Sequence, residues 1–266
     1  NQLYTHDFKK HFKTNHAEYG SIRFEFCSDK NNFRNFCKNM ENENKVYDIG
    51  IIGDSFIEGI GLNYNKTFVG QLTEKLPSLK IANLAVQSYS PSIYNIKIKN
   101  LISKGYKFKE IIVFIDISDI QDEAIYYQIK QGKVLKRDKN LYENLKKIED
   151  LEKPIIQKIT RFLDRRVIFT YRGWLKFKKY LISKNLIKYK IPDSVINIKR
   201  SEWTFKENSN GYGKIGVDGA IKISLKNMEN LAEYLNENNT DLSIAVYPWP
   251  AQLKYDKVNN STKKNL

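Results

Sequence analysis

Residues 46–62 read VYDIGIIGDSFIEGIGL. An apolar run reaches Gly53-Asp54, and Ser55 follows where the chain must turn. A short apolar run closed by a turn signal reads as a buried strand. The next segments repeat the pattern. Thr67 is placed to cap a helix whose Phe68, Leu72 and Leu76 fall on one face. LKIANLAV (79–86) reads as a second strand. Ser90-Pro91 then supplies a cap and a proline at the first helical position. Tyr94, Ile98, Leu101 and Ile102 form the apolar stripe of that helix, and Gly105 ends it. EIIVFIDIS (110–118) reads as a third strand. Strands alternating with helices at this spacing imply right-handed crossovers and a parallel sheet. Such sheets bind ligands beyond the carboxyl ends of their strands. Ser55, Ser88 and the segment Asp116–Asp119 all fall at those ends.

The remaining chain is less regular. Residues 1–45 hold His6, His11 and His16 and read as an irregular arm packed on the main domain. Residues 46–266 read as the α/β domain, interrupted at about 122–205 by a mostly helical, basic, aromatic-rich insertion. A later helix places Ile221, Leu225, Met228, Ala232 and Leu235 on one face, and DLSIAVYPWP (241–250) reads as a fourth strand ending in prolines. The last residues are polar and read as a loop or frayed end.

The net charge of +15 is concentrated: residues 131–200 carry 20 Lys and Arg against 7 Asp and Glu, or +13. A basic segment of this kind attracts acidic glycan, phospholipid head groups or nucleic acid. The competing reading is a solvated helical surface. Nucleic acid ranks last, because no recognition motif for it is visible. Cys27 and Cys37 lie too far apart, and are too few, for a zinc site. They suit one short-loop disulfide in an oxidising compartment, or two unrelated buried thiols. No apolar run is long enough to span a membrane. The first residue is Asn1, so the chain reads as processed or excised, and any export signal or upstream anchor would already be gone.

A serine hydroxyl attacks a carbonyl only with a base to take its proton and donors to hold the oxyanion. At the strand ends the donors would be the amides of Ser55 and Ser88 and the hydroxyl of Ser118. Asp54 and Glu58 read as turn or capping groups. GDSFIEG has neither the Walker nor the dinucleotide glycine spacing, which disfavours a nucleotide-binding first turn.

GDSF at the first strand end, NLAVQSYSP at the second and Asp116-Ile117-Ser118-Asp119 at the third resemble the SGNH (GDSL-type) hydrolases. The resemblance covers residues 46–120 and the strand near 241–250. It implies a three-layer flavodoxin-like fold and Ser55 as nucleophile. It places Ser88 where the family has an oxyanion-hole glycine, and Ser118 where it has an asparagine. The family carries Asp-x-x-His or Asp-x-His near its C-terminus, whereas no histidine follows His16 here. The expectation is that the chain stops short of that block. The alternatives are that His6, His11 or His16 reaches the site, or that the site is inactive.

The resulting expectation is a serine esterase or acyltransferase acting on O-acyl groups, above all O-acetyl, of a bacterial surface glycan outside the cytoplasm. No cofactor or metal is expected. Asp54, Asp119, Trp249 and Gln252 are the expected substrate contacts. Trp249 would stack on a sugar or join the core. A membrane surface is the further partner expected for the basic insertion. The alternatives are an inactive SGNH-like module that binds anionic glycan or membrane, and an assembly factor.

Overall fold

The computed structural model describes residues 3–19, 22–137, 202–204, 212–249 and 252–253. The helical reading of 138–200 and the polar end therefore lie outside the described residues.

The arm is more ordered than expected. Phe12–Tyr19 (β1) and Ile22–Ser28 (β2) pair antiparallel, Phe12 facing Ser28. Their alternation was masked by polar residues on the open side of β1. Cys27 in β2 is bonded to Cys37 in the following turn. Arg34, 1% exposed, anchors the same loop. Its guanidinium donates to the carbonyls of Glu58 and Leu62 and stacks over Phe24, Phe26 and Tyr64.

Val46–Ile52 (β3) is the apolar run of the opening stretch. Ser55–Glu58 forms a one-turn helix (α1), and Phe68–Lys75 (α2) starts at Thr67, whose hydroxyl accepts the Gly70 amide. Ile81–Asn83 (β4), Pro91–Ser103 (α3) and Lys107–Ile115 (β5) follow as read. Ile117–Ile125 (α4) opens the presumed helical insertion, but Tyr127–Lys130 (β6) and Lys133–Lys136 (β7) then form an antiparallel ribbon. Its turn holds Gln131 and Gly132 at φ 51° and 70°, the geometry that suits a two-residue hairpin. Gly216–Glu237 (α5) and Asp241–Val246 (β8) complete the described elements.

The four long-range strands are parallel in the order β4–β3–β5–β8. This is an α/β sheet flanked by helices and compatible with a flavodoxin-like fold. Ile93, Tyr94 and Ile98 of α3 pack with Met228, Leu231 and Leu235 of α5 over one face. Val69 of α2, with Leu72, packs near Ile51 on the other. The chain steps from β3 to β4 on one side and returns past β3 to β5, so β3 is the switch point where an open crevice forms. The α5 stripe is rotated from the expected one. Leu225 is exposed, while Ser224 and Asn227 are buried. Asn227 hydrogen-bonds Asn95 and Ser92 of α3, so a polar seam joins the two helices.

Candidate active site

Asp54 caps α1 by accepting the Phe56 amide at 2.8 Å. Gly59, at φ +80°, closes the turn, and a Cβ there would lie 2.3 Å from the Thr67 side chain. These two residues bracket Ser55 at the first helical position, where an amide has no intrahelical acceptor. Ser55 is half-buried and borders a cleft of about 1860 Å³. Its hydroxyl donates to Asp54 Oδ2 at 3.3 Å.

Ser88 borders the same cleft, exposed, at φ +60°. That left-handed conformation ordinarily favours glycine. Three side chains hold it. Glu58 Oε2 accepts the Gln87 amide at 2.6 Å. His6 Nε2 lies 2.7 Å from the Gln87 carbonyl oxygen, so Nε2 carries the hydrogen. The Tyr127 hydroxyl donates to the Ser88 carbonyl at 2.6 Å. The Gln87 carbonyl and the Ser88 amide share one planar trans peptide, so the His6 bond sets the direction of the Ser88 N–H. Neither the Ser55 nor the Ser88 amide has a protein acceptor among the described residues.

Burial pushes the Glu58 carboxyl up to about 7 against the lowering effects of the Gln87 amide and Arg34. Burial also lowers the His6 pKa, which favours the neutral ring. Its Nδ1 is then occupied by the Thr5 hydroxyl at 2.8 Å. His6 thus reaches the cleft as a clamp with both ring nitrogens engaged. His11 pairs with Glu41, and His16 is exposed on β1.

Behind Ser55 lies an acidic cluster. Asp54, Asp116 and Asp119 bring oxygens within 4.8 Å of one another. Asp116 caps α4 and accepts the amide and hydroxyl of Ser118 on Oδ1 at 2.7 and 2.6 Å. Its Oδ2 accepts the Trp249 indole at 2.7 Å. The Tyr247 hydroxyl lies 2.9 Å from Asp116 Oδ2 and 3.1 Å from Asp54 Oδ1. One phenolic proton cannot serve both carboxylates. A proton on Asp54 completes the chain, and burial and then the charge of Asp116 raise the Asp54 pKa in that sense. Asp119 accepts the Asp116 amide and is pushed well up by burial and by its two acidic neighbours. These are the described side chains placed to hold a cation, but Asp54 and Asp116 would have to surrender donor bonds to do so.

Comparison with family models, with curated proteins and with solved structures gives no match.

Three expected contacts differ in place. Ser118 borders the cleft, but its hydroxyl proton goes to Asp116, so it is not a free oxyanion donor. Asp119 is 1% exposed and locked in the capping box, away from the cleft. Gln252 is buried and accepts the Trp249 amide through Oε1. Trp249 does line the cleft, half-buried, with its indole tied to Asp116. Sequence reading missed Tyr247, Tyr127 and the clamp role of His6. Tyr247 was accessible, because the residue after β8 must emerge at the same rim as Ser55. No local signal marks Tyr127 or His6.

Proposed function

We propose that the protein is a serine-dependent esterase or acyltransferase of SGNH type. It would remove or transfer O-acyl groups, O-acetyl above all, on a bacterial surface glycan outside the cytoplasm. The supporting observation is Ser55 at the switch point, bordering the cleft that Ser88 also borders, with no protein acceptor for either amide among the described residues. In the reaction the Ser55 oxygen bonds the acyl carbon as the ester C–O bond breaks. The alcohol leaves with the serine proton. Water or a sugar hydroxyl then takes the acyl group and returns a proton to Ser55. The amides of Ser55 and Ser88 would receive the oxyanion, and one such donor contributes about 2.7–4 kcal/mol. Phe56, stacked on Tyr247 at 4.6 Å, offers an apolar wall for the acyl group. The disulfide suits an oxidising compartment.

A fluorophosphonate probe tests this. The expected result is one adduct on Ser55, absent in Ser55→Ala. An unlabelled protein would favour the second reading, an inactive module that holds anionic glycan or membrane. That reading draws support from the saturated ring of His6, which leaves Ser55 with Asp54 as its described partner.

A further inference from the structure

The cleft is lined by charged residues of both signs. Asp54, Asp116 and Asp122 line it, all three buried, and the first two are already bonded to Phe56, Ser118, Tyr247 and Trp249. The β6–β7 ribbon and the residue after it contribute Lys130, Lys136 and Arg137 to the same lining. Arg137 is built in. Its Nε and one terminal nitrogen donate to the Glu123 carbonyl at 3.3 and 3.1 Å, and its amide donates to Tyr126 at 2.7 Å. The Glu123 carboxylate accepts from Ser90 and Ser92, and the charge of Arg137 acts on it without a direct ion pair. Lys130 and Lys136 are exposed. None of the three cations makes a direct ion pair with a carboxylate among the described residues. A planar guanidinium fixed on a neutral carbonyl keeps its charge and remaining donors for an incoming anion, which it binds best as carboxylate or phosphate.

We infer that the molecule entering this cleft carries an anionic group, a carboxylate or a phosphate, which seats on Arg137, Lys130 and Lys136. If Ser55 takes an acyl group, the anion sits on the alcohol part of the ester. Only that last clause rests on the proposed chemistry.

Titration calorimetry on the full chain carrying Ser55→Ala separates the two claims, because no turnover occurs. The probes are trigalacturonate, maltotriose 6-phosphate and uncharged maltotriose. One or both anions should bind at least about tenfold tighter than maltotriose at low salt, and the margin should collapse near 1 M salt, where screening shortens to about 3 Å. Which anion binds separates carboxylate from phosphate. Lys130→Ala with Lys136→Ala should remove most of the margin, as should Arg137→Ala. Lys75→Ala with Lys222→Ala, an equal charge loss on remote helices, should leave it intact. Lys130→Glu reverses one charge at an exposed position and keeps the test decisive if Arg137→Ala loosens α4. Equal affinity for charged and uncharged probes overturns the inference, as does equal loss with the remote lysines. Anion binding without fluorophosphonate labelling would leave the anion site standing and end the acyl-transfer reading.

Discussion

Glu58→Gln isolates the tension between stability and the Ser88 loop. Glu58 is 4% exposed and accepts the Gln87 amide. Its carboxyl titrates near 7 in the folded protein against an ordinary 4.5. The native state therefore holds this proton more tightly than the unfolded chain. Stability from the group is fully present below the unfolded pKa and is lost as pH rises to about 7. The loss amounts to about 3 kcal/mol. Glutamine mimics the protonated acid at every pH. The variant should match the wild type near pH 4. Above pH 7.5 it should melt higher by roughly 5–10 °C for a chain of this size. Other raised carboxyls titrate in both proteins and cancel in the difference. Above pH 7, where Glu58 is ionised, the same change replaces a charge-assisted bond by a neutral one, a difference of about 1 kcal/mol. The Ser88 amide is then held less firmly, and hydrolysis of 4-nitrophenyl acetate should slow about fivefold. Paired melting curves across this pH range decide the point. A Tm difference that does not change with pH would show that Glu58 ionises freely, and the argument from burial would fail.

Asp116→Ala removes a helix cap and the acceptor of Ser118, Tyr247 and Trp249, so denaturant unfolding should show a loss of about 3 kcal/mol or more. Ser88→Val puts a β-branched residue at φ +60°, and it should cost about 1–2 kcal/mol although the side chain is exposed. Replacing Cys27 and Cys37 by serine opens a loop of sequence separation 10, and loop entropy sets the expected loss at just under about 3 kcal/mol in thermal or chemical unfolding.

The sheet was legible because continuous apolar runs, a proline at the first position of α3 and a closing glycine are local signals. Ser55 was legible for the same reason, since a strand end is a local event. The face of α5 differs from the expected one because Asn227 is buried against partners on α3 and Ser224 bonds back to Ala220, and hydropathy does not report a partner. The ribbon at 127–136 was absorbed into a helical reading, although Gln131-Gly132 between alternating residues was a usable hairpin signal. The expected free hydroxyl of Ser118 failed against its own neighbour, because a carboxylate two residues earlier is a stronger acceptor than any future substrate. His6 and Tyr127 reach residues 87 and 88 from sequence separations of 81 and 39, which no short window can see.

That reach has a kinetic consequence. A dipeptide tied down by residues 6, 58 and 127 has no native shape until three distant stretches of chain have all docked. Its order depends on all three contacts, and losing the one from His6 loosens the turn at Ser88. Hydrogen exchange at the amide of residue 87, which Glu58 holds, would then report loosening of this dipeptide.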